Sequence, residues 1–192
     1  MTKTIILNAA QVTKIVEEMA HQIIKQANSL SDLVLVGIQT RGVSLTNRLV
    51  KIIQAKTKLL LPQGSLDITL YRDDIAGGHW LADNLVSPLV RETNLPQEIN
   101  NKEIILVDDV LFTGRTVRAA LDELVDFGRP KFIRLAVLID RGNREFPIQA
   151  DFVGKKVATT YRQVVKVNLK EIDGKDSVVL MTKEKNSRGL GS

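Results

Sequence analysis

The strongest chemical signal in this chain is "VDDVLFTGRT", Val107 to Thr116. Two adjacent carboxylates, Asp108 and Asp109, precede a short loop holding Thr113, Gly114 and Thr116, and that loop opens onto an amphipathic segment. A helix N-terminus presents unpaired backbone N–H groups and the positive end of its dipole, which together suit a phosphate. Thr113 and Thr116 add hydroxyl donors, and Gly114 lets the backbone approach closely. Carboxylates beside such a cradle would repel a bare phosphate, so they must serve another part of the same ligand. An ionised carboxylate accepts hydrogen bonds from vicinal hydroxyls, directly or through waters on a metal. The ligand that fits is a ribose carrying a 5′-phosphate. A strand, an acidic turn and a capped helix without a ligand would need neither the paired acids nor the Thr-Gly-x-Thr turn. Two other phosphate loops are excluded: G-x-x-x-x-G-K-[ST] is absent, and no G-x-G-x-x-G follows a strand.

Such a site requires elements that deliver it. The apolar run "EIILVDD" reads as a strand whose carboxyl end carries the two acids, where open α/β sheets place ligands. "RTVRAALDELVDF" is helical through Val117, Leu121, Leu124 and Val125. Upstream, Asn8 caps a first helix with Gln11 as its capping-box partner and Val12, Ile15, Val16, Met19, Ile23 and Ile24 on one face. "DLVLVGI" reads as a buried strand, and "VSLTNRLVKII" as a helix with Leu45, Leu49, Ile52 and Ile53 turned inward. "SLDITLY" alternates Leu66, Ile68 and Leu70 with polar residues and reads as a strand, as does "IRLAVLID". Strands alternating with helices imply right-handed crossovers, hence an α/β fold with a mostly parallel twisted sheet covered on both faces. "VVKVNL" and "SVVLMT", around the turn "DGKD", form a small antiparallel addition.

Between "LYRDD" and "NNKEII" lies a long stretch with two prolines, a Gly-Gly pair and no sustained period, the expected lid loop at about 73–102. The remainder reads as one domain over 1–185, followed by a flexible tail, "NSRGLGS", at 186–192.

Composition narrows the function. A chain of 192 residues that is 44% hydrophobic can bury one substantial core. It has no cysteine, which excludes disulfides, thiolate chemistry and cysteine-based zinc sites. The N-terminus has no apolar stretch of signal-peptide length, and no run approaches a membrane span, so the expectation is a cytoplasmic protein with no membrane association. The formal net charge of +5 favours anionic partners, although such an excess also suits ordinary solvated surface.

"ILVDDVLFTGRT" resembles the phosphoribosyl pyrophosphate (PRPP) signature of the type I phosphoribosyltransferases. Three further segments resemble that family in order along the chain. "VGIQTRGVSLTNRL" is similar to its pyrophosphate loop, and "DITLYRDD" to the start of its flexible loop. "LAVLIDRGNREFPIQADFVGKKV" is similar to the base-side segment of its pyrimidine-operon attenuation regulators, which double as uracil phosphoribosyltransferases. The resemblance implies that fold, with a flexible lid and a small hood, and a pentosyl transfer in which uracil attacks C1 of PRPP to give uridine monophosphate (UMP) and pyrophosphate. It also implies magnesium held mainly through PRPP near Asp108 and Asp109, a homo-oligomer of two or more chains, and pyrimidine-operon mRNA as a partner.

Carried onto this sequence, the resemblance gives each residue a role. Asp108 and Asp109 hold the ribose hydroxyls and steady the transition state, while Thr113, Gly114, Arg115 and Thr116 cradle the 5′-phosphate. Thr40, Arg41 and Gly42 form the pyrophosphate loop, with Arg41 and Arg72 aimed at pyrophosphate; the alternative is a pair of solvated arginines. Asp140, Arg141 and Gly142 face the base, Arg141 being equally suited to a surface ion pair. Asp73 and Asp74 are candidates only as solvated neighbours of Arg72.

The RNA surface departs from the family pattern. Where that pattern reads "TRIAH", this chain reads "EEMAH", so Glu17 and Glu18 stand beside the retained His21. Gln39 stands where lysine is usual, and Asn143 where histidine is common. His21, Arg144, Lys155, Lys156, Arg162 and Lys166 remain as RNA contacts or as scattered solubility charge. Three readings stay open: a bifunctional regulator and enzyme, an enzyme that has lost RNA binding, and an RNA-binding nucleotide sensor with little catalysis.

Overall fold

Apolar runs long enough to be covered on both faces make the centre of the molecule. The computed structural model describes residues 2–71, 92–96 and 98–182. Three central strands, β2 (Leu33–Ile38), β4 (Glu103–Leu111) and β5 (Phe132–Asp140), pair in parallel, with β3 (Gln63–Leu66) and β6 (Phe152–Lys156) at the edges in the order β3-β2-β4-β5-β6. Alternation along these strands sends Leu35, Ile105, Val107 and Leu138 to one face and Val36, Leu106 and Val137 to the other.

Helices cover both faces. α1 (Ala9–Gln26) and α2 (Arg41–Thr57) pack on the first face through Val16, Met19, Ile23, Leu45, Leu49 and Ile53. α3 (Arg115–Phe127) covers the second with Val117, Ala120 and Leu124. Each such side chain removed from water contributes roughly 1.5–3 kcal/mol. The expected capping box at the start of α1 is present: Gln11 N–H donates to the Asn8 side chain, and Asn8 N–H to that of Gln11.

A second, antiparallel sheet forms the hood, in the order β1-β8-β7 from β1 (Thr2–Leu7), β7 (Gln163–Asn168) and β8 (Ser177–Thr182). A short helix, α4 (Lys170–Asp173), fills the turn between β7 and β8. Leu7, Val165, Val167 and Val178 join the core beneath α1, so the hood is seated on the main sheet's helical layer.

Four local expectations are corrected. "SLDITLY" is a strand only to Leu66; Ile68–Tyr71 is a turn of 3-10 helix, because the Asp67 side chain accepts from both the backbone N–H and the hydroxyl of Thr69 and bends the chain. In α3, Val125 is 61% exposed and Glu123 takes the inward position. β1 and β6 were not expected. β1 lies between a terminus and a helix cap with no turn signal to delimit it, and β6 carries a glycine and two lysines that weaken any strand pattern.

Candidate active site

The two acids lie near the carboxyl end of β4, which runs on past them to Leu111. Asp108 is 7% exposed and bonds through Oδ1 to the N–H of Asp109 at 2.8 Å. The ladder with β5 pairs Asp108 with Val137 and Val110 with Ile139 in one continuous parallel register, so the strand carries both acids. Burial pushes both carboxyls above the usual carboxylate range; the charge of Asp109 pushes Asp108 further, whereas Arg41 pulls Asp109 part of the way back. Adjacent acids, one buried and one half-buried, resist double ionisation, so this pair suits a ligand that brings hydroxyl donors and positive charge.

α3 starts immediately beyond. Gly114 caps it at φ 94, a left-handed conformation that a side chain would strain. The first intrahelical bond runs from Arg118 N–H to Gly114 O, and Arg115 N–H reaches the Thr113 hydroxyl at 3.4 Å. Arg115 and Thr116 are exposed on this first turn, with Arg115 paired to Glu145 at 2.7 Å. Thr113 O accepts the N–H groups of Glu145 and Phe146, which fixes the loop from behind.

The loop from β2 to α2 closes the other side. A β-carbon on Gly42 would stand 2.3 Å from the Val107 carbonyl oxygen, so only glycine lets α2 begin against the end of β4. Gln39 N–H donates to Leu66 O, and the Gln39–Thr40 peptide is cis. Arg41, the first residue of α2, bonds Asp173 of α4 through Nη2 at 2.8 Å and Nε at 3.3 Å. One turn pair further along α2, Arg48 holds both Glu171 and Asp176, and its guanidinium keeps those two carboxyls below their ordinary range. Asp173 and Asp176 were read only as the ends of the turn "DGKD", and Glu171 was not singled out. The available signal was charge matching between that acidic turn and two arginines spaced seven apart on one helix face.

With this geometry in place, comparison with known proteins is decisive. The Phosphoribosyl transferase domain matches residues 3–172. The chain is 51% identical over 175 residues to the Bifunctional protein PyrR of Alkaliphilus metalliredigens, across 91% of this chain and 93% of that one. It is 49% identical over 182 residues to the Bifunctional protein PyrR of Thermus aquaticus, across 95% and 97%. The chain belongs to the PyrR family of phosphoribosyltransferases. Among solved structures, the hypoxanthine phosphoribosyltransferase of Trypanosoma cruzi superposes with a TM-score of 0.66 at 16% identity, covering 94% of this chain and 97% of that one. One from Staphylococcus aureus gives 0.63 at 20%, covering 94% and 92%. These two likenesses speak for the fold alone.

In this PyrR-family chain the base-side residues divide. Asp140, Arg141 and Gly142 all line a concavity of about 240 Å³ with Lys156, Val157 and Ala158, at the carboxyl ends of β5 and β6. Asp140 accepts from Gly142 N–H and from Arg144 Nη2. Arg141, expected at the base or in a surface pair, is 5% exposed: its guanidinium donates to Thr159 Oγ1, Thr160 O and Gln163 O, and its carbon lies 3.9 Å from the centre of the Phe112 ring. It clamps the loop between β6 and β7. Phe112 meets Tyr161 edge-on at 5.8 Å, an aromatic pair the sequence reading overlooked.

The RNA candidates divide as well. His21 is exposed on α1 with Glu17 and Glu18. Arg144 turns inward to Phe112 O, Gly142 O, Ile148 O and Asp140, and most of its donors are engaged within its own loop. α1 packs directly on β6, where a β-carbon at Gly154 would lie 2.5 Å from Ile15. Strand alternation puts Lys156 on that same face and Lys155 on the opposite one, so the two lysines diverge. Arg162 and Lys166 are exposed near and on β7.

The roots of the expected lid are pinned. Ser65 and Asn94 exchange both backbone bonds, Asp67 N–H donates to the Thr93 hydroxyl, and that hydroxyl donates to buried Glu123. Arg72, Asp73, Asp74, most of 73–102 and the tail 186–192 lie outside the described residues. No described helix is long and apolar enough to cross a membrane. Among the described residues no cluster of three or more metal-ligating side chains exists. Two carboxylates beside a phosphate cradle nevertheless suit magnesium, which keeps several waters and takes one or two carboxylates plus substrate phosphates.

Proposed function

We propose that this protein transfers the phosphoribosyl group of PRPP to uracil, releasing UMP and pyrophosphate, and that as a homo-oligomer it also binds pyrimidine-operon mRNA as a UMP-responsive attenuation regulator. The observation that carries the enzymatic half is the pair of buried Asp108 and half-buried Asp109, within reach of the Arg41 charge and ahead of the α3 N-terminus.

The chemistry needs electrostatics more than covalent help. As the bond from C1 to pyrophosphate stretches, positive charge grows on the ribose and negative charge on the leaving group. Preorganised groups aimed at both charges lower the barrier most effectively. Asp108 and Asp109 accept the ribose hydroxyls and face the developing cation; Arg41 meets pyrophosphate, joined by Arg72 from the lid. Thr113, Gly114, Arg115 and Thr116 hold the 5′-phosphate through backbone and hydroxyl donors. Uracil, with two carbonyl acceptors and one N3–H donor, occupies the concavity beside Asp140 and Gly142. Magnesium, held through the donor's oxygens with Asp108 and Asp109 nearby, would neutralise charge on the leaving pyrophosphate.

The test is direct. The protein with magnesium, PRPP and uracil should form UMP, and hypoxanthine in place of uracil should not be consumed. Turnover of hypoxanthine alone would refute the base assignment, and turnover of neither would refute the enzymatic reading. A second reading, an enzyme without RNA binding, is favoured by exposed Glu17 and Glu18 and by the inward-turned Arg144. Titration of pyrimidine-operon leader RNA with and without UMP separates the two.

A further inference from the structure

Arg41 makes a two-pronged contact across the fold, from the start of α2 to α4. Its partner there is Asp173, while its charge is felt at Asp109. Asp173 is itself fixed, because its Oδ2 also accepts the backbone N–H of Leu169 at 2.9 Å. The hood does not depend on this contact for attachment to α2: Arg48 already takes Glu171 at 2.6 Å and Asp176 at 2.7 Å. The Arg41–Asp173 pair therefore does something that the neighbouring brace does not.

A free arginine carries about 2 kcal/mol of rotamer entropy and settles on whichever anion is nearest. For Arg41 one such anion is Asp109, which its charge already reaches and which the donor's ribose needs unencumbered. We propose that Asp173 is a positioning residue for the transfer reaction, holding the Arg41 guanidinium away from Asp109 and ordered for the donor's pyrophosphate. Nε and Nη2 serve Asp173, which leaves Nη1 for the incoming anion. The hood thereby acts on catalysis without touching a substrate. This inference rests on the reading of Arg41 as a pyrophosphate cation.

The experiment measures steady-state kinetics with PRPP and uracil, UMP affinity, and thermal midpoints. Asp173→Asn should lower kcat/KM for PRPP about tenfold, with UMP affinity unchanged because UMP carries no pyrophosphate. Asp173→Glu should restore part of the loss. Glu171→Gln weakens the other brace and should lower the midpoint while leaving PRPP kinetics alone. In an Arg41→Ala background, Asp173→Asn should add no further kinetic loss. Wild-type kinetics for Asp173→Asn, an equal loss from Glu171→Gln, a parallel loss of UMP binding, or an additive loss on Arg41→Ala would each overturn the proposal. If Arg41→Ala itself keeps full activity, the reading of Arg41 has failed, and the role of Asp173 falls with it.

Discussion

Gly42 and Val107 meet backbone to backbone: a β-carbon at Gly42 would stand 2.3 Å from the Val107 carbonyl oxygen. This contact joins the start of α2 to the end of β4 and so sets the distance between Arg41 and the acid pair. Gly42→Ala should destabilise the protein by about 1–3 kcal/mol and raise KM for PRPP, since α2 must shift to admit the methyl group. Denaturant unfolding and PRPP kinetics on the same preparation check both effects.

Asp109→Asn preserves size and removes the charge facing the ribose. Turnover should fall by about 10²-fold or more, with the fold intact and the thermal midpoint no lower. Unchanged turnover would remove Asp109 from the mechanism.

Asp108 carries the larger consequence for stability. Burial, then the charge of Asp109, raises its folded pKa well above the ordinary value. An acid raised in this way binds more protons folded than unfolded between its two pKa values, so unfolding free energy falls as pH rises through that interval. The cost of burying the carboxyl therefore grows with pH from the unfolded value upward until the folded value is passed. Asp108→Asn keeps the acceptor for Asp109 N–H and should raise the thermal midpoint at neutral pH, flatten its decline from mildly acidic to neutral conditions, and abolish turnover. A midpoint lower than that of the unaltered protein at neutral pH would contradict this account.

Arg141→Ala removes three hydrogen bonds and the cover over Phe112 at once. A loss of about 2–4 kcal/mol is expected from unfolding measurements. Arg141→Lys should rescue little, because one ammonium cannot reproduce the planar fork.

Glu17 and Glu18 lie exposed beside His21, and Lys14 pairs with Glu18 at 3.8 Å. Replacing them by Thr and Arg should tighten leader-RNA binding and steepen its salt dependence through added phosphate contacts, with transferase activity unchanged. Identical affinities at low and moderate salt would place α1 outside the RNA surface.

Periodicity and local chemistry were sufficient for much of this molecule. The capped amphipathic α1, the buried runs of β2, β4 and β5, and the acid pair running into Thr-Gly-x-Thr are legible because neighbouring residues create them: a side-chain cap, continuous apolar burial, and a strand end beside a helix start. Side-chain destinations were a different matter. Arg141 and Arg144 sit in one basic, polar stretch that reads as base or RNA contact, yet folding brings the carbonyls of Thr160 and Gln163 to the first and that of Phe112, with its own loop, to the second and turns both inward. Val125 and Glu123 exchange their expected environments because Thr93, thirty residues away, supplies the hydroxyl that lets a carboxyl be buried. Above all, Arg41 and Asp173 are 132 residues apart, and nothing local to either foretells the other. The sequence alone determined which residues could carry the chemistry. Only the tertiary structure decided which cation each anion would meet, because ion pairs form through space between segments whose separation along the chain carries no periodic signal.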